Sequence, residues 1–69
     1  GAGQALIDAA VALARQLGLR EVTLEVRTDN DAAIRLYTRS GFRPGKLLRD
    51  YYHDGADARR MALSLSPGR

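Results

Sequence analysis

The hydrophobic period of the chain changes abruptly at one glycine, Gly18. After it, the segment from Glu21 to Arg27 alternates like a strand, with Val22, Leu24 and Val26 on its apolar face. Gly18 can adopt the left-handed conformation that ends a helix. A helix joined to a strand by so short a connection predicts an α/β protein. Before the glycine, one helix face repeats at a 3.6-residue period and carries Leu6, Ala10, Leu13, Ala14 and Leu17.

A second helix and a return to the core are predicted after this strand. Asn30 is a typical N-cap residue, and the helix that it starts runs from about residue 31 to residue 40, where Gly41 ends it. Phe42 then re-enters the core. The inner face of this helix carries Ala33, Leu36 and Tyr37.

Two further strands are predicted near the end of the chain. The segments are a turn or bulge at Pro44-Gly45, a strand at 46–52, a polar loop at 53–57, a strand at 59–66 and a frayed tail at 67–69. Met61, Leu63 and Leu65 lie on one face of the last strand. A short loop joins the two strands, so an antiparallel hairpin is expected. The predicted order is helix, strand, helix, strand, strand, in a mixed sheet that leaves the first strand open from Val22 to Arg27.

Composition excludes several classes of protein. A chain of 69 residues allows one small domain or part of one. It has no cysteine and one histidine, so we expect no disulfide and no metal site, and a cytoplasmic location fits. No apolar run reaches the roughly 18 residues of a membrane span, and no signal peptide is visible. The net charge of +3 comes without a basic block, so no nucleic-acid partner is expected.

Residue type and position alone indicate two candidate sites. Gly1-Ala2-Gly3 opens into a helix whose free N–H groups and dipole favour a phosphate; the alternative is a frayed terminus. Glu25 lies on the polar face of the first strand and Tyr37 on the inner side of the next helix, which suits a general base and a general acid. The alternatives are a solvated strand face for Glu25 and a core aromatic with a satisfied hydroxyl for Tyr37.

Three other positions have structural explanations. Asn30 is accounted for as a helix cap without any ligand. His53, in a polar loop, is interpreted as a surface residue. Of the pair Tyr51-Tyr52, alternating strand faces would place one ring along a substrate groove and the other in the core.

Taken together, these segments resemble the GNAT N-acetyltransferase superfamily over essentially the whole chain. Residues 1–7, GAGQALI, resemble the end of its acyl-CoA pyrophosphate loop, and LEVR at 24–27 resembles its next strand. Asn30, AIRLY at 33–37 and Gly41-Phe42 resemble the helix that follows. Tyr51-Tyr52, Asp57-Ala58 and MAL at 61–63 are similar to bacterial ribosomal-protein alanine N-acetyltransferases.

The resemblance implies acetyl-CoA as co-substrate and no metal. Gly1, Ala2, Gly3 and Gln4 would hold its pyrophosphate through backbone amides, and Asn30 would bind its pantetheine arm.

The resemblance also implies the catalytic roles and the acceptor. Glu25 would deprotonate the amine, Tyr37 would protonate the leaving thiolate, and Tyr51 and Tyr52 would contact the acceptor. The implied activity is acetyl transfer to a protein N-terminal amine, such as that of a ribosomal protein. The alternatives are a small-molecule amine as acceptor, or a non-catalytic module that pairs through the exposed strand edge.

The family pattern has strands and helices before the position that matches Gly1. We therefore interpret residues 1–69 as a partial GNAT domain, its C-terminal half. The chain would be a shortened protein, part of a longer one, or a half-domain completed by another chain. Activity of the 69 residues alone stays open.

Overall fold

A computed structural model describes residues 2–65 as two helices and a three-stranded sheet. The element order and the α/β fold class are those predicted. Gly1, Ser66 and the predicted tail at 67–69 lie outside the described residues. The elements are α1 (Ala2–Gln16), β1 (Glu21–Arg27), α2 (Asp31–Arg39), β2 (Arg43–Leu48) and β3 (Ala58–Ser64).

The last strand lies in the middle of the sheet, in the order β1-β3-β2. Both pairings are antiparallel, and β1 faces β3 in an unbroken register from Glu21↔Ser64 to Arg27↔Ala58. The predicted β2–β3 hairpin is confirmed. The predicted mixed sheet is wrong for these three strands, because β1 and β2 run parallel but are not neighbours. Within residues 2–65 the other edge of β1 has no strand beside it, as expected.

The strand β2 begins and ends earlier than predicted. It covers Arg43–Leu48 rather than 46–52, and its pairing with β3 shifts between Pro44 and Leu47. Proline fits at an edge strand or a bulge, where the missing N–H costs little. The Pro44-Gly45 signal therefore marks an irregularity inside the strand, and Tyr51 and Tyr52 fall in the loop that follows it.

The core lies where α2 covers the sheet. Val26, Phe42 and Met61 are buried at its centre, as the alternation of β1 and the return at Phe42 predict. On β3, Met61 and Leu65 are buried and Leu63 is partly buried, which confirms the predicted face. Partly buried residues pack around this centre; they are Ile7, Val22, Leu24, Ala33, Ile34, Tyr37 and Leu63.

The predicted inner face of α1 is mostly wrong. Ala14 is buried, but Leu6, Leu13 and Leu17 remain 74%, 56% and 65% exposed, and Ala10 is exposed too. Ile7 packs against the core instead. The helix carries apolar residues on two adjacent faces, so its period alone cannot show which face turns inward. Within residues 2–65, neither helix is long and apolar enough to cross a membrane.

Candidate active site

Glu25 lies in the middle of β1, on the face opposite the core. Its Oε2 accepts a hydrogen bond of 3.0 Å from Nε of Arg60, which is its direct partner across the β1–β3 pair. The Glu25 side chain is 27% exposed. The carboxylate is therefore held by a cross-strand cation and is still reachable from solvent.

Tyr37 combines a packed ring with an unbonded hydroxyl. The ring lies against Phe42, with 5.8 Å between ring centroids and a tilt of 58°. No hydrogen bond of the Tyr37 hydroxyl is found within residues 2–65, and no buried side-chain polar atom in this range lacks a partner. The hydroxyl therefore reaches the surface. The core-aromatic interpretation holds for the ring but not for the hydroxyl.

The two predicted catalytic side chains lie on opposite sides of β1. Tyr37 packs against the cluster that contains Val26, whereas Glu25, one position earlier, points to the other face because strand side chains alternate. No hydrogen bond joins Glu25 to Tyr37 in the described chain. A substrate lying along the open edge of β1 would have a carboxylate on one side and a phenol on the other.

The first turn of α1 offers backbone donors but few side-chain donors. The first N–H groups of a helix have no helical partner, and this turn carries no acidic residue. The Gln4 side chain is already engaged, since Nε2 donates to Asp8 (3.0 Å) and Oε1 accepts from Ser40 Oγ (3.3 Å). Ala2, Gly3 and Gln4 can therefore serve an anion through their backbone N–H groups. The predicted contribution of Gly1 lies outside the described residues.

Gly3 also has a packing role. A Cβ built at Gly3 would lie 3.0 Å from Cδ2 of Leu36, so a larger residue here would require the Leu36 side chain to shift. Glycine at this position thus fits close helix packing as well as phosphate binding.

Asn30 caps α2 as predicted, and the cap uses only one of its two side-chain polar groups. Its Oδ1 accepts a hydrogen bond of 3.1 Å from the backbone N–H of Ala33. Among the described residues no partner is found for Nδ2. Capping uses only the oxygen, so the amide N–H groups can donate to a ligand.

Tyr51 and Tyr52 lie in the loop between β2 and β3, residues 49–57, hereafter the tyrosine loop. Their rings meet edge to face, with centroids 5.1 Å apart. Tyr51 is 50% exposed and Tyr52 is partly buried. The prediction that one of them packs in the core is wrong, because the strand ends before them and the alternation no longer applies. His53 is exposed, as expected.

The structure adds Arg27, which the sequence did not single out. Its Nη2 and Nη1 lie 2.9 and 3.4 Å from the two carboxylate oxygens of Asp54, and its Nε lies 3.3 Å from Oδ1 of Asp29. The guanidinium also lies over the Tyr52 ring, 5.1 Å from its centroid. The Asp54 contact joins residues 27 positions apart, so no local pattern could have revealed it.

The Arg27–Asp54 pair shifts the pKa of both members. The hydrogen bond from Arg27, with a second one from the backbone N–H of Ala56, lowers the pKa of Asp54 below its usual value. Hydrogen bonds to Asp54 and then Asp29 raise the pKa of Arg27. Both groups are exposed, so the pair is a surface contact that salt will weaken.

An open groove of about 520 Å³ runs along α1 but lies away from these groups. Gln4 and Ser40 contribute to its wall, whereas Glu25 and Tyr37 do not. The groove therefore adds nothing to the acid–base pair.

Comparison with known proteins identifies the class. The model of the acetyltransferase (GNAT) family matches residues 1–42, and the chain belongs to that family. An N-alpha-acetyltransferase from Sulfurisphaera tokodaii is 46% identical over 66 residues, which are 94% of this chain and 40% of that protein.

Solved structures agree with this assignment. The ribosomal-protein-S18-alanine N-acetyltransferase from Escherichia coli is 40% identical with a TM-score of 0.84, over 96% of this chain and 44% of that one. The NatC complex bound to Gag peptide and CoA is 30% identical with a TM-score of 0.87, over 91% of this chain and 40% of that one. These matches confirm the resemblance drawn from the sequence. The chain spans less than half the length of each of these proteins.

Proposed function

We propose that the protein containing this chain transfers the acetyl group of acetyl-CoA to a primary amine, namely the N-terminal amine of a protein such as a ribosomal protein. The observation that carries the proposal is the placement of two groups about one edge strand. Glu25 offers a reachable carboxylate on one face of β1, and Tyr37 offers an unbonded hydroxyl on the other. An amine that attacks a thioester needs a base on its own side and an acid beside the leaving sulfur.

The proposed steps account for every proton that moves and every bond that forms or breaks. Glu25 takes a proton from the acceptor ammonium, and the neutral nitrogen then forms a bond with the thioester carbonyl carbon. The bond between that carbon and sulfur breaks, and the Tyr37 hydroxyl gives its proton to the departing thiolate. The amide nitrogen releases its second proton to water, the tyrosinate recovers a proton from water, and Glu25 returns the proton it took to water. The contact with Arg60 Nε orients the Glu25 carboxylate before it takes the proton.

Acetyl-CoA binding is proposed for the first turn of α1 and for Asn30 at the start of α2. The free N–H groups of Ala2, Gly3 and Gln4, together with Gly1, would bind the pyrophosphate, since helix N-termini favour anions. Nδ2 of Asn30 would donate to a carbonyl of the pantetheine arm. The CoA held by the NatC relative supports this choice of co-substrate.

The acceptor is proposed to be a peptide terminus because of the tyrosine loop. Two partly exposed rings beside the Glu25 face form a surface to which an extended chain can bind, whereas a small amine needs an enclosed pocket. The S18-alanine acetyltransferase and the peptide-bound NatC complex support a protein acceptor.

We further propose that the chain forms the C-terminal half of a GNAT domain in a cytoplasmic protein.

The decisive experiment compares two carboxylates of one strand face in the whole protein. Acetyl transfer from acetyl-CoA is measured with a peptide that begins with alanine and, separately, with spermidine. Glu25→Gln should lower kcat about 100-fold or more with the peptide, the usual scale for a positioned base. The control Glu21→Gln removes an exposed carboxylate from the same face and should change kcat less than about twofold.

Three results would contradict the proposal. Equal losses in the two variants would remove Glu25 from its role. Faster transfer to spermidine than to the peptide would favour a small-molecule acceptor. A protein that binds no acetyl-CoA and pairs with a partner through β1 would favour the interaction module.

A further inference from the structure

The tyrosine loop is anchored to the sheet at two levels. At its base, the Thr28 backbone N–H donates to the Asp57 carbonyl (3.1 Å), and the Asp57 carboxylate accepts from the Asp50 N–H (2.9 Å). At its tip, the contacts to the sheet come from Arg27, through Asp54 and Tyr52. Removing the Arg27 side chain therefore leaves the base of the loop in place.

The tip itself is a small, internally bonded unit. The Tyr52 N–H donates to the Ala56 carbonyl (3.1 Å), and the Gly55 N–H donates to the Tyr52 carbonyl (2.9 Å). Asp54 Oδ1 accepts from the Ala56 N–H at 3.1 Å. Because these bonds tie Asp54 to Tyr52, an anchor on the Asp54 carboxylate also holds the Tyr52 backbone, and the Arg27 guanidinium over the ring restrains its side chain.

Arg27 places this unit beside Glu25. The two residues are two positions apart on β1 and share a face, which puts their Cα atoms about 7 Å apart. The Tyr52 ring under the Arg27 guanidinium therefore lies on the side of the sheet from which an amine reaches Glu25.

We infer that Arg27 is a positioning residue, which holds Tyr52 and, through the edge-to-face contact, Tyr51 in the orientation that binds the acceptor. The inference rests on the proposed function. Arg27 touches neither reacting group, so it acts on acceptor affinity and leaves the proton transfers of Glu25 and Tyr37 unchanged.

The side chain must be arginine for this role. A planar guanidinium can pair with both oxygens of Asp54 while its face lies over the Tyr52 ring, whereas a lysine ammonium makes a single point contact. Charge alone would therefore not restore the orientation of the ring.

The test uses three variants of the whole protein: Arg27→Gln, Arg27→Lys and the control Arg15→Gln, which removes an exposed arginine from α1. Two quantities are measured. The first is the exchange rate of the Tyr52 and Gly55 amide hydrogens, which reports the order of the loop tip without requiring activity. The second is the set of steady-state constants with an alanine-initiated peptide and acetyl-CoA.

Both Arg27 variants should speed exchange of the two amides and raise KM for the peptide about fivefold, the scale of one exposed ion pair plus one cation–π contact. Their kcat and their KM for acetyl-CoA should stay within about twofold of the wild type. Arg15→Gln should match the wild type in every quantity. A variant with a merely structural defect would lose kcat and acetyl-CoA affinity as well.

The remaining outcomes separate this inference from the proposed function. Unchanged exchange in Arg27→Gln, or full restoration by Arg27→Lys, overturns the inference while wild-type activity still supports the function. Faster exchange with no change in peptide KM also overturns it. A wild-type protein that acetylates neither peptide nor spermidine overturns the proposed function, and the acceptor role of Arg27 falls with it.

Discussion

The side chain of Asn30 has two hydrogen-bonding groups, and the fold uses one of them. Its oxygen caps α2 through the Ala33 N–H, and its nitrogen has no partner in the described chain. An isosteric carboxylate preserves the first function and abolishes the second. Substitutions at this one position can therefore separate the contribution of Asn30 to stability from its contribution to ligand binding.

We expect Asn30→Asp to keep the stability of the wild type and to weaken acetyl-CoA binding about tenfold, because aspartate caps helices equally well but cannot donate. Asn30→Ala should weaken binding similarly and also cost about 1 kcal/mol of stability. Urea unfolding and calorimetric titration with acetyl-CoA measure the two effects. If Asn30→Asp bound acetyl-CoA normally, Asn30 would be a cap only.

Tyr37 allows the same separation of ring and hydroxyl. Tyr37→Phe keeps the contact with Phe42, so unfolding stability should change by less than about 1 kcal/mol. The kcat for acetyl transfer should fall about 100-fold, the usual scale for loss of a positioned acid. Single-turnover rates and urea unfolding of the same samples check both statements. Unchanged turnover would exclude Tyr37 as the acid.

At the scale of elements, the tyrosine loop and the end of β1 form one unit that depends on the charge of Asp54. The pKa of this carboxyl is lowered in the folded state, so the pair contributes stability above the unfolded value of about 3.8–3.9 and loses it as pH falls through the lower folded value. At the alkaline end the raised pKa of Arg27 keeps the pair charged.

The loop tip should therefore stay anchored from about pH 5 to pH 9 and loosen below about pH 4. Carboxyl carbon NMR of Asp54 should give a midpoint below the usual aspartate value, and Arg27→Gln should return the midpoint towards it. The same midpoint in wild type and variant would show that the pair is absent in solution.

How far the sequence predicts these elements depends on how local their causes are. The bounds of β1 and the cap at Asn30 follow from alternation and residue type over a few positions, and both agree with the structure. The bounds of β2 do not follow, because Pro44 is tolerated there only by virtue of lying at a sheet edge, which is a tertiary fact. Because of this error Tyr51 and Tyr52 were predicted in a strand, whereas they lie in the loop after it.

The residues of the candidate site likewise divide into those with a local sequence signal and those without one. Glu25, Tyr37 and Asn30 were predicted from motif and resemblance, and their roles in the site stay predictions. Arg27 was missed because its partner, Asp54, is distant in sequence. The orientation of α1 was also unpredictable, since two adjacent apolar faces compete for contact with the core.

At the scale of the chain as a whole, Met61 lies at the centre of the hydrophobic core. It lies in the central strand, is 1% exposed and packs in one cluster with Val26 and Phe42. A thin core of this kind has few other residues to compensate for a cavity.

Met61→Ala should therefore lower the free energy of unfolding by about 2–5 kcal/mol, the range for large core residues cut to alanine. Ser64→Ala, in an exposed position on the same strand, should change it by less than about 0.5 kcal/mol. Equilibrium urea unfolding measures both. A small effect of Met61→Ala would mean that the centre of the core lies elsewhere.

The position of β3 also imposes an order of events on folding. The sheet's middle strand is the last of the three to leave the ribosome, so neither β1 nor β2 has its partner while the chain grows. The β2–β3 hairpin joins nearby segments and can close first, whereas pairing Glu21 with Ser64 requires a long loop to close. Until then β1, the strand that carries Glu25 and Arg27, leaves the edge that later pairs with β3 exposed to neighbouring nascent chains. Synthesis that stalls before residue 58 would therefore leave a product prone to aggregate rather than a smaller folded one.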